Sequence, residues 1–363
     1  MQDHTHEEDD VSLRAFGGPH LYLQGPDALN ELGPRVAALG RRPFVVADGV
    51  AAGLIGPRIR AALGLEATFA TFGGECTAGE IDRLAAAARE AGADVVVGLG
   101  GGKAIDTAKG VRMALAAPLV IVPSIASNDS PTSRLAVLYT DDHVLAEVRL
   151  MATNPDVVLV DTSIIARAPA RFFAAGIGDA LSKAFEVAQC ARSGGLNFFK
   201  ASPTELALAI ADRCYAIVRA DGVAALEAVK RRSSDASMER VVEATVLLSG
   251  LAFESGGLSI AHSLTRGFSA VPQVARALHG EQVALGLLAQ LVAEEREAAF
   301  LQDLRNFYAA VGLPTSFSAF GIGDPEAVRT IVDVTWRTAP YIRNFTPTLT
   351  PERLTKALMS LLA

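Results

Sequence analysis

Two histidines lie in apolar segments of helical character, His262 in "ESGGLSIAHSLTRGF" and His279 in "ARALHGEQVA", and an aspartate, Asp179, lies in a third, "GIGDALSKAFE". A single imidazole buried among helices usually serves as a hydrogen-bonding core residue. Two imidazoles and a carboxylate make a different set: they offer two nitrogens and one oxygen to a cation and leave a coordination position open, as a catalytic Zn2+ or Fe2+ requires. The three are too far apart in the chain to form a local metal motif, so only tertiary structure can bring them together. His20 and His143 have no comparable setting. His4 and His6 belong to the polar, acidic opening "MQDHTHEEDD", which has no periodicity; residues 1–10 are expected to form a disordered tail that fixes no coordination geometry.

A second group of residues carries a different chemistry. "GLGGGKAIDTAKG", Gly98 to Gly110, has four glycines in five residues, follows the strand-like "DVVVGL" and opens a helix. A strand, a glycine turn and a helix N-terminus form an anion site, because backbone N–H groups and the positive end of the helix dipole face outward. Glycine lets a pyrophosphate approach the backbone. The alternative is a tight turn whose glycines are there for packing. Neither standard phosphate fingerprint is present: GxGxxG would need glycine at Lys103, and the P-loop would need glycine at Val97 and Ser or Thr at Ala104. Asp48 ends an earlier strand, where a carboxylate can accept hydrogen bonds from a ribose diol and repel a 2′-phosphate, favouring NAD over NADP. An aspartate after a strand is also a common turn or cap residue.

The elements that must position these residues are readable from periodicity. Short β-branched runs alternate with alanine-rich helical segments, the pattern of βαβ units around a parallel sheet. Strands are expected at Phe44–Ala47, Thr68–Phe72, Asp94–Leu99, Leu119–Val122, Ala136–Tyr139 and Val157–Val160. "TAGEIDRLAAAAREAG" reads as a helix with Thr77 as N-cap and Glu80 as its capping-box partner. Beyond about Ile165 the β-branched runs almost vanish. We therefore expect an α/β dinucleotide-binding domain over residues 11–163 and an all-α domain over 164–363. "RSGGLNFFKASPT", "SSDASMER" and "GIGDPEA" are expected to be loops between helices, and Trp336 and Tyr341 to pack in a core or an interface.

The 363 residues are 50% hydrophobic and 20% charged, an ordinary composition for a globular enzyme, and the length favours two domains. A net charge of −7 without clustered Lys and Arg argues against a nucleic-acid partner. Cys76, Cys190 and Cys214 are odd in number and widely spaced, fitting neither a disulfide framework nor a CxxC metal site, so a reduced, cytoplasmic setting is expected. No apolar run approaches the roughly 18 residues of a membrane helix, and no secretory signal pattern opens the chain, so no membrane partner is expected.

Read in order, "LYLQGPDALNELG", "FGGECTAGEIDRL", "GGGKAIDTAKG", "PSIASNDSPTSRLAVLYT", "GIGDALSKAFE", "FESGGLSIAHSLTRGF" and "LHGEQVALG" resemble the glycerol dehydrogenase branch of the iron-containing, metal-dependent alcohol dehydrogenases nearly end to end. The resemblance implies a dehydroquinate synthase-like fold: a Rossmann-like domain, a helical domain, and metal and substrate between them. It implies that Gly101, Gly102, Lys103, Ala104, Ile105 and Asp106 hold the pyrophosphate of NAD. Ser124, Ser127, Ser133, Leu135 and Tyr139 would line the nicotinamide side, and Asp48 would take the adenosine ribose. Asp179, His262 and His279 would hold Zn2+ or Fe2+, and Asp129 would contact substrate hydroxyls. It further implies a homo-oligomer. The chemistry would be hydride transfer from the carbinol carbon of a small polyol or vicinal diol, with the metal as Lewis acid and no side-chain nucleophile.

Three positions depart from the family pattern. Thr265, followed by Arg266, replaces a second histidine; Ala184, beside Lys183, replaces a tryptophan; and Arg134 stands where relatives carry a small residue. Arg266 and Lys183 are therefore tentative substrate residues, and with Arg134 they could meet a carboxylate or phosphate. Each could also face solvent. This leaves a second substrate class open, a 2-hydroxy or 2-oxo acid or a phosphorylated polyol. A carbocycle-forming lyase like dehydroquinate synthase would need many more basic residues, and a non-enzymatic NAD sensor would leave the triad unexplained.

Overall fold

The computed structural model describes residues 13–362, apart from Leu65 and His143. The N-terminal tail with His4 and His6 lies outside the described residues.

Six strands, β1 (Leu21–Gly25), β2 (Pro43–Ala47), β3 (Thr68–Thr71), β4 (Val95–Gly100), β5 (Leu119–Pro123) and β8 (Val157–Asp161), form one wholly parallel sheet in the order β1-β8-β5-β4-β2-β3. The central runs "PFVVA", "VVVGLG" and "LVIVP" are buried at every position, as parallel strands covered on both faces must be. The remaining strands, β6 (Leu135–Tyr139) and β7 (Leu145–Leu150), pair antiparallel as a separate hairpin. The apolar run Ala136–Tyr139 is thus a strand, but it stands outside the parallel sheet: no helical crossover follows it, and β7 returns directly after a short turn. β1 and β7 carry mixed polar and apolar residues, and their periodicity gave no strand signal.

Successive strands run outward in one direction from β2 to β3 and in the other from β4 through β5 to β8. The carboxyl ends of β2 and β4 therefore border the crevice where an open α/β sheet binds its ligand. Asp48 follows β2, and the glycine loop ends β4.

After Asp161 every described element is helical. The Ala170–Arg192 helix is the hub, with most of its side chains buried, packed against the Glu205–Lys230 and His279–Ala293 helices. One apolar cluster runs without interruption from a face of the sheet, through Val96, Ile121 and Val158, into Phe173, Ile177 and Leu285 of the helices. The segment Leu13–Gly17 lies against the helical half: Ser202 N–H donates to Leu13 O, Asn197 to Ala15 O, and Gly17 N–H to the Ser255 hydroxyl.

Thr77 caps the Ala78–Glu90 helix through the Glu80 N–H, but the Glu80 carboxylate turns to the Gly73 N–H, so only half of the capping box forms. "SSDASMER" is a loop only as far as Asp235, which caps a helix beginning at Ala236. Cys76, Cys190 and Cys214 are free and buried. Tyr341 packs on Phe198, and Trp336 lies beneath Arg343. Among the described residues no single helix is long and apolar enough to cross a membrane.

Candidate functional site

Asp179, His262 and His279 come from three different helices, and their ligand atoms lie within 4.8 Å of one another. Glycine makes this convergence possible. A Cβ on Gly280 would sit 1.7 Å from Ala175 O, and one on Gly178 would sit 2.5 Å from Gly280 O, so the helices carrying Asp179 and His279 touch backbone to backbone. His262 reaches the same point from the Ile260–Phe268 helix, which packs on the His279–Ala293 helix where Gly286 meets Ala261 O.

Asp179 Oδ1 is 3.2 Å from His262 Nε2 and 4.0 Å from His279 Nε2. Asp179 Oδ2 is buried and has no hydrogen-bond partner. A buried carboxylate oxygen without a partner is costly unless something else fills its coordination. His262 is oriented by a residue that spacing alone did not single out. Glu186 is wholly buried, accepts the backbone N–H groups of Ser259 (3.0 Å) and His262 (2.9 Å), and lies 2.5 Å from His262 Nδ1. A carboxylate can only accept, so Nδ1 carries the hydrogen and Nε2 is the atom turned toward Asp179. Glu186 is in the motif "GIGDALSKAFE", seven residues after Asp179 and so on the same helix face, which is the signal that could have found it.

Burial acts to raise the Asp179 carboxyl, but the Lys183 charge and then the two imidazoles hold it well below the usual carboxylate range. Burial acts to lower His262, but the Glu186 charge and the bonds to Asp179 and Glu186 push it up to about 9. His279 is pulled below the ordinary imidazole value, first by desolvation. Its side chain, 43% exposed, forms the open side of the group.

Asp129 joins this cluster from the loop after β5. Its Oδ2 accepts the Ser249 hydroxyl (2.9 Å) and lies 3.2 Å from Lys183 Nζ. Burial, then the Asp179 charge, raises its carboxyl. Ser249 follows a stretch of π-helix, Glu243–Leu248, a local widening of the kind that re-aims side chains at functional sites.

The expected cations are placed differently from the sequence reading. Lys183 is neither in solvent nor free for a substrate anion: its ammonium is fully buried against Asp179 and Asp129. Arg134 is paired with the buried Glu254, donates to Phe198 O and stacks on Phe199, clamping the β6 end to the helical half. Two of the three cations behind the acid or phosphate reading are therefore consumed by protein carboxylates. Arg266, one helical turn beyond His262, is half-buried.

On the nucleotide side the expected residues have partners within the protein. Gly100 has φ +148°, and a Cβ there would meet Asp48 Oδ2 at 2.7 Å; Cβ atoms on Gly101 and Gly102 would strike Ile125 and Asn128. The chain itself therefore crowds these glycines, most firmly at Gly100, where the backbone also takes a positive φ. The Gly102–Leu115 helix still begins without a side-chain cap, as an anion site would. Ala104 and Ile105 are buried, and the Ile105 N–H donates to Gly101 O. The Asp106 carboxylate accepts Lys109, the Ser130 hydroxyl and Val137 N–H, pinning the hairpin to the helix. Ser133 is likewise buried, its hydroxyl against Lys109 and Ser130 O rather than an open cleft. Lys103 pairs with Glu75 at 2.6 Å beside the Tyr139 ring. Asp48 caps the Gly49–Leu63 helix through Oδ1, while Oδ2 stays beside Gly100 at the crevice. Ser124, Ser127 and Leu135 are half-buried, on the segment that runs past the crevice to β6.

Residues 19–162 match the family model described as iron-containing alcohol dehydrogenase. Over 351 residues the chain is 38% identical to the glycerol dehydrogenase of Escherichia coli O6:H1, covering 95% of this chain and 96% of the relative. A glycolaldehyde reductase of Halobacterium salinarum is 39% identical over 316 residues, 86% of this chain and 87% of that one. Among solved structures, a probable glycerol dehydrogenase from Sinorhizobium meliloti 1021 superposes with a TM-score of 0.90 at 38% identity, covering 96% of this chain and 98% of the other.

Proposed function

The chain belongs to the iron-containing alcohol dehydrogenase family, and from that premise we propose that it is an NAD-dependent, divalent-metal-dependent dehydrogenase interconverting a small polyol or vicinal diol of the glycerol type and the corresponding hydroxyketone. The observation that carries the reading is the convergence of Asp179, His262 and His279 around the unpartnered Asp179 Oδ2.

The donor set fits one divalent ion: a carboxylate, an imidazole whose Nε2 is presented by the Glu186 bond, and a second imidazole at the open side. Such an ion, Zn2+ or Fe2+, supplies Lewis acidity toward a hydroxyl oxygen, and the nicotinamide of NAD takes the hydride. The chain's own residues bind and orient. Asp129, held by Ser249, offers its carboxylate to the hydroxyls of a diol next to the triad. Gly100 to Lys103 and the first N–H groups of the Gly102–Leu115 helix receive the pyrophosphate, with Asp48 at the ribose and Ser124, Ser127, Leu135 and Tyr139 toward the nicotinamide. The apolar hub around Phe173 and Ile177 keeps water out from behind the triad. A cytoplasmic setting and a homo-oligomeric assembly belong to the same reading.

The test is direct. Chelator-stripped protein, reloaded with Zn2+ or Fe2+ and given NAD+ and a panel of diols that includes glycerol, should show the near-ultraviolet absorbance of NADH. Silence across the whole panel with either metal overturns the proposal.

A further inference from the structure

Lys183 is the one lysine or arginine inside the metal cluster among the described residues. It stands one helical turn after Asp179, and the backward tilt of helical side chains carries its stem toward that residue. Its ammonium lies 2.5 Å from Asp179 Oδ1, 3.2 Å from Asp179 O, 3.2 Å from Asp129 Oδ2 and 3.3 Å from His262 Nε2. The ammonium thus holds one oxygen of the Asp179 carboxylate and faces His262 Nε2, two groups of the triad that would receive the ion, while Asp179 Oδ2 stays unpartnered.

Among the described residues the neighbouring carboxylates are already bonded elsewhere. Glu254 is occupied by Arg134 and Asn154, and Glu186 by Ser259 and His262. Its side chain is fully buried, with the Phe253 ring 5.8 Å away, so water cannot replace these partners.

Charge decides what this arrangement does. Asp129, Asp179 and Glu186 would place three negative charges in a buried space, which is very costly without compensation. Lys183 and one dication together match the three carboxylates. A neutral side chain at 183 would leave all three to the dication alone.

We propose that Lys183 is a tethered counter-cation of the metal site, sharing the Asp179 carboxylate with the divalent ion so that the chain stays folded without metal and holds the metal loosely and exchangeably. This rests on the reading that the triad binds a divalent ion.

The experiment compares wild type, Lys183→Met and His262→Ala. Zn2+ affinity is measured by competition with a chromophoric chelator, and thermal unfolding is followed in chelated and Zn2+-loaded protein. Lys183→Met keeps the stem and removes the charge. It should bind Zn2+ at least about tenfold more tightly than wild type. Its chelated form should unfold several degrees below its loaded form, whereas the wild-type gap stays small. Equal affinities and equal gaps overturn the proposal while leaving the metal reading intact, provided His262→Ala loses Zn2+. If His262→Ala binds Zn2+ as wild type does, the triad reading fails and the proposal with it. A chelated wild type that unfolds for want of metal overturns the proposal without recourse to any variant, and Lys183→Gln repeats the comparison should the methionine not fold.

Discussion

Glu186→Gln isolates what holds His262 in its working state. The glutamine has the same shape and keeps one acceptor oxygen for the N–H groups of Ser259 and His262, now at 3.0 and 2.9 Å. Its amide NH2 then faces His262 Nδ1, which must accept, so the ring hydrogen moves to Nε2, the atom a metal needs bare. The carboxylate also sustains the proton that wild-type His262 holds up to about 9. Near pH 7 that proton competes with metal, and raising the pH to about 9 should tighten wild-type Zn2+ binding roughly 50-fold. His279, pulled down rather than up, adds no competing proton in this interval. In Glu186→Gln the imidazolium loses its counter-charge, so the pH gain should shrink to a few-fold. At about pH 9 the variant should bind about 10–100-fold more weakly than wild type. Chelator-buffered Zn2+ titrations at the two pH values give both quantities, with circular dichroism as the control for folding. Parallel pH profiles, or equal affinity at the upper pH, would refute the claim that Glu186 sets both the tautomer and the proton of His262.

Asp179→Asn removes the carboxylate ligand and leaves Lys183 facing Asp129 alone; elemental analysis should find Zn2+ gone from the purified variant, and retained stoichiometric metal would move the site elsewhere. Arg134→Ala strips the partner from a buried carboxylate, so denaturant melts should show a loss of about 3 kcal/mol, while KM for diols stays within a few-fold. A selective loss of anionic substrates with unchanged stability would restore the recognition role. In chelated wild type, the raised pKa of His262 adds stability that is complete below the ordinary imidazole value and is lost as pH rises through about 9; at about 3 kcal/mol it should appear as a falling melting temperature over that interval, absent in His262→Ala.

The elements were legible where periodicity is strong. Each expected strand exists; five of the six are β-branched runs bounded by helical segments, which have few other solutions in a covered parallel sheet, and the sixth, Ala136–Tyr139, joins the hairpin instead. β1 and β7 were not legible: the half-buried, mixed residues of "LYLQG" and "LAEVRL" read as strands only once a neighbour pairs with them. The metal triad was legible as chemistry before its geometry was known, since two imidazoles and a carboxylate in apolar helical segments offer a cation two nitrogens and an oxygen. The glycine loop was legible as a place, while the protein partners of its side chains were not. Ile125 and Asn128 lean over Gly101 and Gly102, and the Asp106 carboxylate bonds Lys109 and the hairpin, tertiary contacts that spacing along the chain does not encode.

Lys183 shows why a charged residue's role is the hardest to read from its neighbours in sequence. Beside Ala184 in a helical segment, an ammonium is ordinarily a solvated tip on an apolar stem. Here the helix is the hub of the molecule and has no solvated face at that turn, so the same four-residue spacing that would make a weak surface pair makes a buried one. An i,i+4 Asp–Lys pair specifies only that the two side chains meet. Whether the meeting is worth a few tenths of a kcal/mol or governs the charge of a catalytic centre depends on the packing around it, which Gly178, Gly280 and Gly286 determine by letting three helices close on the pair. Enlarging Gly280 should therefore disperse the triad and release Lys183 together, since a Cβ there cannot coexist with Ala175 O.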